Sequence, residues 1–366
     1  MLSLFCVTTA VPESSFATIE FDQYWQHFNK SYSPGEVAHR REIFAMRKLA
    51  VADQNALYDA GKMTWWAAIN NFSDWTDEEF ARMRRGVLPH VSLAPVAFMS
   101  SSPRRDPNPP ANNWRWAQTP VKNQKSCGSC WAFASTEVLE SHAAIAAGKG
   151  STPPVLAPQT LVSCVQNPKQ CGGSGGCEGA TAELAFNYSS VQGMATEADW
   201  PYAAHDTPCK AYTAAVINSG FVKLPRNDAA ALETALATVG PVAVTVAANW
   251  MSYGGGIFSG GCKVPIRWKR DVCNLDHGVV AVGYTPDYWL IRNSWGAAWG
   301  ESGYIRLTRQ NDNATFVDLD PRDGVACEPW PHYKNGTFKH QYPMGESGVL
   351  FDTAYPIGVR ALNHLA

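Results

Sequence analysis

Residues 87–112 turn proline-, serine- and arginine-rich, ending in the run SSPRRDPNPPANN, and split the chain into two parts of unlike texture. Such a composition builds no regular element; it makes a linker that is open to cleavage. The part ahead of it, residues 17–90, is polar and helical. Ser33-Pro34-Gly35-Glu36 offers an N-cap, a proline at the first helical position and a capping-box glutamate, which predicts a helix to about Leu57 with Gly61 as its stop. Glu36, Arg40, Phe44, Arg47, Val51 and Asn55 recur at helical steps and share one face of it. A second capping box, Thr76-Asp77-Glu78-Glu79, predicts a short helix ending near Gly86. Behind the linker, residues 130–147 read as a buried helix closed by Gly148 and Gly150, and 228–239 as another. Pro241–Ala247, Val279–Tyr284, Tyr288–Arg292 and Tyr304–Leu307 read as strands. Helices first and strands later imply one α+β unit with two unlike lobes.

The 366 residues carry 30 basic and 32 acidic side chains, a net charge of −2 that argues against nucleic acid as a partner and against a polybasic membrane anchor. With 45% apolar and 17% charged residues the chain can bury a sizeable core. No apolar run reaches the ~20 residues of a membrane span. Ten cysteines exceed what a reducing compartment usually explains, and sequons at Asn29, Asn71, Asn187, Asn313 and Asn335 point the same way. The apolar start MLSLFCVTTA resembles a secretory leader, so residues 1–16 are expected to be one, and the compartment to be secreted or lysosomal-vacuolar.

The chemistry concentrates in Gln124-Lys125-Ser126-Cys127-Gly128-Ser129-Cys130-Trp131. A cysteine in the first turn of a helix meets partial positive charge and open N–H groups, which favour thiolate. A thiolate nucleophile needs an imidazole to hold it ionised, and the ring needs a third group to orient it. Asp276-His277-Gly278 and Asn293-Ser294-Trp295-Gly296 supply both, and Gln124 can donate to an oxyanion beside the Cys130 N–H. Of nine histidines only His277 has such a context. The same Cys127-x-x-Cys130 spacing also fits a thiol oxidoreductase, although no βαβ pattern precedes it. A structural zinc site lacks a second ligand pair, and a degenerate binding protein would have lost one of the reactive groups. No cofactor or metal is called for.

Cys127-Gly-Ser-Cys130-Trp131, with His277 and Asn293 downstream, resembles the papain-like cysteine proteases over about residues 114–356. Gly176-Cys177-Glu178-Gly179 is similar to that family's substrate-cleft turn. Asn293–Gly296, Trp299-Gly300 and Gly303-Tyr304 are similar to its asparagine-bearing strands, and Ala354-Tyr355-Pro356 to its closing strand. The resemblance implies a two-lobed fold, with a helical lobe and an antiparallel, barrel-like lobe, behind a mostly helical inhibitory prosegment over 17–105. The peptidase domain then spans 106–366 and carries an insertion at 310–343. It implies a zymogen of a cysteine-type endopeptidase with Cys130, His277, Asn293 and Gln124 catalytic, and Gly179, Ala180, Asp276, Trp295 and Asp352 at the substrate. Protein and peptide substrates, the chain's own prosegment and cystatin-type inhibitors are the implied partners. Disulfides Cys127–Cys177 and Cys164–Cys209 follow from the same likeness; for Cys171, Cys262, Cys273 and Cys327 three pairings remain, with Cys262–Cys327 preferred.

Departures from the family pattern carry expectations too. Arg47 and Val51 stand where asparagine and isoleucine are usual in the prosegment, and Ala68 replaces a glycine. Lys125 replaces a glycine at the cleft rim, Ala180 one that meets substrate, and Ser347 a disulfide cysteine. Asp352 falls at the floor of the S2 pocket, where an acid would accept a basic side chain; the alternative is an aspartate consumed by its own hydrogen bonds. Acid is expected to loosen the prosegment through carboxylates such as Asp74.

Overall fold

The structure, a computed structural model, describes residues 18–84, 112–262, 271–319 and 340–362. The expected leader, most of the linker, Cys327 and the middle of the 310–343 insertion lie outside the described residues. Helices α1 (Phe21–His27) and α2 (Val37–Asp59), strand β1 (Trp65–Ala67) and helix α3 (Asp77–Arg84) make up the first part. Phe21, Tyr24, Phe44, Val51 and Ile69 form a core of its own. The shared face of α2 does several jobs at once. Phe44 and Val51 fill that core, while Asn55 receives the Ala67 N–H (2.7 Å) and donates to the Ala67 carbonyl (3.0 Å), which ties β1 to the helix. Arg40 grips Glu79 with both Nη atoms, and Arg47 pairs with Asp77. The second capping box forms as expected, with the Glu79 N–H on Thr76 Oγ1 and the Thr76 N–H on Glu79 Oε2. The first does not. Ser33 gives both its N–H and its hydroxyl to Glu36, so that oxygen no longer caps, and α2 begins at Val37 with Glu36 as N-cap.

Strand β2 (Asn112–Asn113) opens the second part, followed by α4 (Cys130–Ala147), α5 (Pro158–Cys164) and α6 (Ala182–Gln192). Every residue of α4 from Cys130 to Ala144 is buried, as suits a helix that is apolar nearly all round. Strands β3 (Val216–Ile217) and β4 (Gly220–Lys223) and helix α7 (Ala229–Thr238) lead into the sheet lobe. That lobe holds β5 (Val242–Val246), β6 (Tyr253–Phe258), β7 (His277–Tyr284), β8 (Tyr288–Arg292), β9 (Tyr304–Thr308) and β10 (Thr353–Ile357); β11 (Arg360–Ala361) pairs with β3. The main sheet runs β1-β6-β9-β8-β7-β5-β10-β4, with β2 on β7; only β6 and β9 are parallel. The first part therefore supplies an edge strand to the sheet of the second.

Two cores result, one among α4, α5, α6 and the near face of the sheet, the other on its far face. A buried ion pair joins them: Arg292 at the end of β8 donates to Glu137 of α4 (3.0 Å) and to the Thr119 carbonyl (2.7 Å). Disulfides Cys127–Cys177 and Cys164–Cys209 form as expected. The preferred Cys262–Cys327 pairing does not: Cys262 bonds Cys273, eleven residues on, with Cα atoms 4.7 Å apart. The ladder contact of the Cys273 N–H on the Val317 carbonyl (2.8 Å) holds that cysteine in place. Ser347, at the expected cysteine position, instead receives the Trp250 indole N–H (3.1 Å).

Candidate active site

Cys130 is the first residue of α4 and is buried, outside any disulfide. Its place at the helix start puts the sulfur against the positive end of the helix dipole. Gln124 is fixed on three sides: its N–H donates to the Ser294 carbonyl (2.9 Å), its Oε1 accepts the Ser294 hydroxyl (2.6 Å), and its carbonyl accepts the Tyr202 hydroxyl (2.8 Å). Its amide nitrogen is thereby aimed along the cleft.

His277 begins β7, and Asn293 follows β8 directly, so adjacent antiparallel strands bring the two side chains together. His277 Nε2–H donates to Asn293 Oδ1 (2.8 Å), which leaves Nδ1 as the ring's open nitrogen; it is buried and has no hydrogen-bond partner among the described residues. Trp295 lies over the ring, with centroids 4.8 Å apart, and Trp250 meets its edge. This leaves the imidazole in a dry aromatic slot.

The first part of the chain lies in that cleft. Phe80 and Phe72 stand edge-on to Trp295. The Met83 carbonyl accepts from Gln124 Nε2 (3.2 Å), and the next carbonyl, of Arg84, faces Cys130 Sγ at 3.7 Å. Only a thiol can donate to a carbonyl, so this contact favours the neutral sulfur. Burial, opposed by the Asn293 hydrogen bond and reinforced by the Arg84 charge, pulls the His277 pKa down to about 3. In the intact chain the ring is thus held toward its neutral form, while the sulfur faces a prosegment carbonyl.

The family model for papain family cysteine proteases matches residues 108–320, and that for the cathepsin propeptide inhibitor domain matches residues 21–80. The chain belongs to the papain family of cysteine peptidases. It is 36% identical to a cathepsin L-like proteinase of Phaedon cochleariae, over 81% of this chain and 91% of that one. It is 34% identical to digestive cysteine proteinase 3 of Homarus americanus, over 83% and 92%. Among solved structures it is similar to a digestive procathepsin L of Tenebrio molitor larval midgut, with a TM-score of 0.72 and 28% identity over 92% of this chain and 97% of that one. It is thus a cysteine peptidase zymogen with an inhibitory propeptide domain. The thiol oxidoreductase reading falls, because the relatives are cysteine proteinases and Cys127 is locked to Cys177, leaving no dithiol at the Cys-x-x-Cys spacing.

The departures at Lys125 and Ala180 fall at the cleft. Lys125 sits at φ 53°, a left-handed backbone that favours glycine, and its side chain is exposed at the rim. Ala180 is buried and packs in the helical core. Gly179 (φ 95°) keeps the turn that the Cys127–Cys177 bridge holds against Gly128. Asp352 does line a pocket with Ala182, Ala243, Thr245 and Gly278. Both its oxygens are taken, one by Lys223 and the other by the Thr245 hydroxyl (2.8 Å), and Lys223 also pairs with Glu183. Burial, and next the Glu183 charge, push the Asp352 carboxyl above its usual range. Nothing in the sequence pattern marks Lys223 or Arg84. Glu137 did carry a signal, as one of two acids, with Glu140, in a largely apolar helix, since such a group needs a cation to face.

Proposed function

We propose that Cys130 is the nucleophile of a cathepsin L-like endopeptidase, with His277 as its acid–base partner, Asn293 orienting the ring and Gln124 holding the oxyanion. The observation that carries this is the pair of prosegment carbonyls, Met83 on the Gln124 amide and Arg84 at the Cys130 sulfur, which lie where a scissile carbonyl would react. With the prosegment gone, sulfur and ring form a thiolate–imidazolium pair. The thiolate attacks the carbonyl carbon, the oxyanion takes the Gln124 and Cys130 N–H groups, and His277 protonates the departing amine. Water, deprotonated by His277, then opens the thioester and returns the thiolate. Trp295 shields the His277–Asn293 hydrogen bond. Gly179 and Ala180 offer backbone to the substrate, and the pocket floored by Asp352 takes apolar P2 side chains, because Lys223 already compensates that charge.

Residues 17–105 act as the removable inhibitor of a peptidase domain at 106–366, and cystatin-type inhibitors would compete for the same cleft. The disulfides Cys127–Cys177, Cys164–Cys209 and Cys262–Cys273 support a secreted or lysosomal-vacuolar setting; among the described residues no helix is long and apolar enough to cross a membrane. Labelling with an epoxide or iodoacetamide probe, mapped by mass spectrometry, tests the assignment. Modification at Cys130 in the processed protein, slow in the intact chain and lost in Cys130→Ser, is the expected result. Equal labelling before and after processing overturns it.

A further inference from the structure

We infer that Tyr202 is a positioning residue of the oxyanion hole, its hydroxyl locking together the two stretches of chain that carry the oxyanion donors. The inference rests on the roles given above to Gln124 and Cys130. Tyr202 Oη lies 2.8 Å from the Gln124 carbonyl and 2.7 Å from Ser129 Oγ. A phenol has one proton and a carbonyl can only accept, so that proton goes to Gln124 and Ser129 donates to the phenol oxygen. One donor of the hole is the Gln124 side-chain amide. The other, the Cys130 N–H, belongs to the peptide group that Ser129 begins. A single hydroxyl thus bridges both.

Ser129 shows what the bridge displaces. It is the N-cap residue of α4, where a serine ordinarily turns its oxygen to the N–H groups of the first turn. Here its side chain makes no such bond. Its hydroxyl is buried and turned to Tyr202, so the helix start gives up a cap and keeps the tie. The loop between the two donors also includes Lys125 in a left-handed conformation (φ 53°), which a lysine holds only where its surroundings fix it.

Tyr202 is itself held firmly. Its ring meets that of Phe133, in the first turn of α4, edge-on with centroids 4.7 Å apart. Its N–H donates to Glu197 Oε1 (2.8 Å), and the next N–H, of Ala203, to Gln159 Oε1 (2.9 Å) on α5. Burial raises the phenol above its ordinary pKa, so the donor keeps its proton across the working range of a peptidase. With that proton spent on Gln124, the hydroxyl has none to give a substrate. It acts through the two donors, which must meet one developing oxyanion at about 2.7–3.1 Å. A misplacement of about 1 Å there costs about a hundredfold.

Kinetics on the processed enzyme, cut from the intact chain by an unrelated protease, tests this. Tyr202→Phe keeps the ring and removes the hydroxyl. It is expected to lower kcat on a fluorogenic peptide amide about tenfold, the scale of one hydrogen bond, with KM changed by less than about twofold. Iodoacetamide is the control: the Cys130 sulfur forms a C–S bond as the C–I bond breaks and iodide leaves with its electron pair, with no oxyanion at any stage. Its rate and pH dependence should match those of the unaltered enzyme. In a Gln124→Ala background the further change to Phe should cost about twofold at most, because the amide it positions is already gone. An unchanged kcat, an iodoacetamide rate falling in step with kcat, or losses that add in full in the double variant overturn the inference. If Tyr202→Phe does not fold, Ser129→Ala takes its place, since it removes the tie and no cap; kcat alone should fall, and an unchanged kcat overturns the inference equally. A Gln124→Ala enzyme as fast as the unaltered one overturns the oxyanion assignment instead, and the inference with it.

Discussion

The depressed pKa of His277 makes prosegment retention a function of pH, and its size follows from the structure. In the intact chain the ring stays neutral down to about pH 3, held there by burial and by Arg84. Once the prosegment leaves a Cys130→Ala chain, in which no thiolate holds the ring charged, Arg84 departs and the cleft fills with water, so the ring returns toward its ordinary 6.5. The released form then binds a proton that the closed form refuses. Retention is accordingly unaffected above 6.5 and weakens as pH falls from there toward 3. Between about pH 7.5 and about pH 4.5 the loss reaches about 2.7 kcal/mol, nearly a hundredfold in affinity, at about 1.36 kcal/mol per pKa unit. Cys130→Ala removes both autolysis and the thiolate, which isolates the ring. That variant, nicked in the linker by an unrelated protease, serves to measure prosegment dissociation across this range, while NMR follows the His277 ring. A ring that titrates at the same pH with and without the prosegment, or an affinity flat across the range, refutes the reasoning.

Gln124→Ala should lower kcat by about 10²–10³ with KM changed far less, as kinetics on the processed enzyme will show, because its amide serves the oxyanion. The unaltered enzyme should prefer Leu to Arg at P2 in fluorogenic peptides. Lys223→Met, which leaves Glu183 and Asp352 facing each other without their cation, should shift that ratio toward Arg and cost about 3–5 kcal/mol in a urea melt. Gly254→Val should speed activation of the intact chain in a processing time course, because a Cβ there would stand 2.2 Å from the Trp66 ring. Processed enzyme carrying that change should keep its peptide turnover, and a zymogen as tight as the unaltered one would show that Trp66 bears no part of the inhibition.

Local signals carried well into the fold. Helix α4 occupies 130–147, stopped by Gly148, because a long stretch rich in alanine and other apolar residues without an internal glycine or proline favours one regular element. Strand β8 spans 288–292 because a short run of aromatic and branched residues, Tyr288 to Ile291, favours an extended, buried strand. Cys130, His277, Asn293 and Gln124 stood out since each lies in a distinctive local context, and the strands and helix then converge on one cleft. What escaped depends on partners far along the chain. Whether Ser33 caps or donates is decided by which oxygen Glu36 offers. Cys262 chooses Cys273 because the ladder to Val317 returns that residue to it. The fate of Asp352 is decided by Lys223, more than a hundred residues away, and the use of Asp276 by Arg84. Charges are read singly in a sequence, but their chemistry is set in pairs.

Strand β1 closes the sheet along β6, where Thr64 accepts the Ile257 N–H and returns its hydroxyl to the Ile257 carbonyl. Losing the prosegment strips that border. What it uncovers is the backbone margin of β6 along Gly254-Gly255, with no side chain to fend off another extended segment, while the Gly256 N–H stays on Glu301 (3.0 Å). Activation thus exchanges a protected margin for an adhesive one. Crowded mature molecules should stick edge to edge, while the uncut precursor stays dispersed and can be stockpiled.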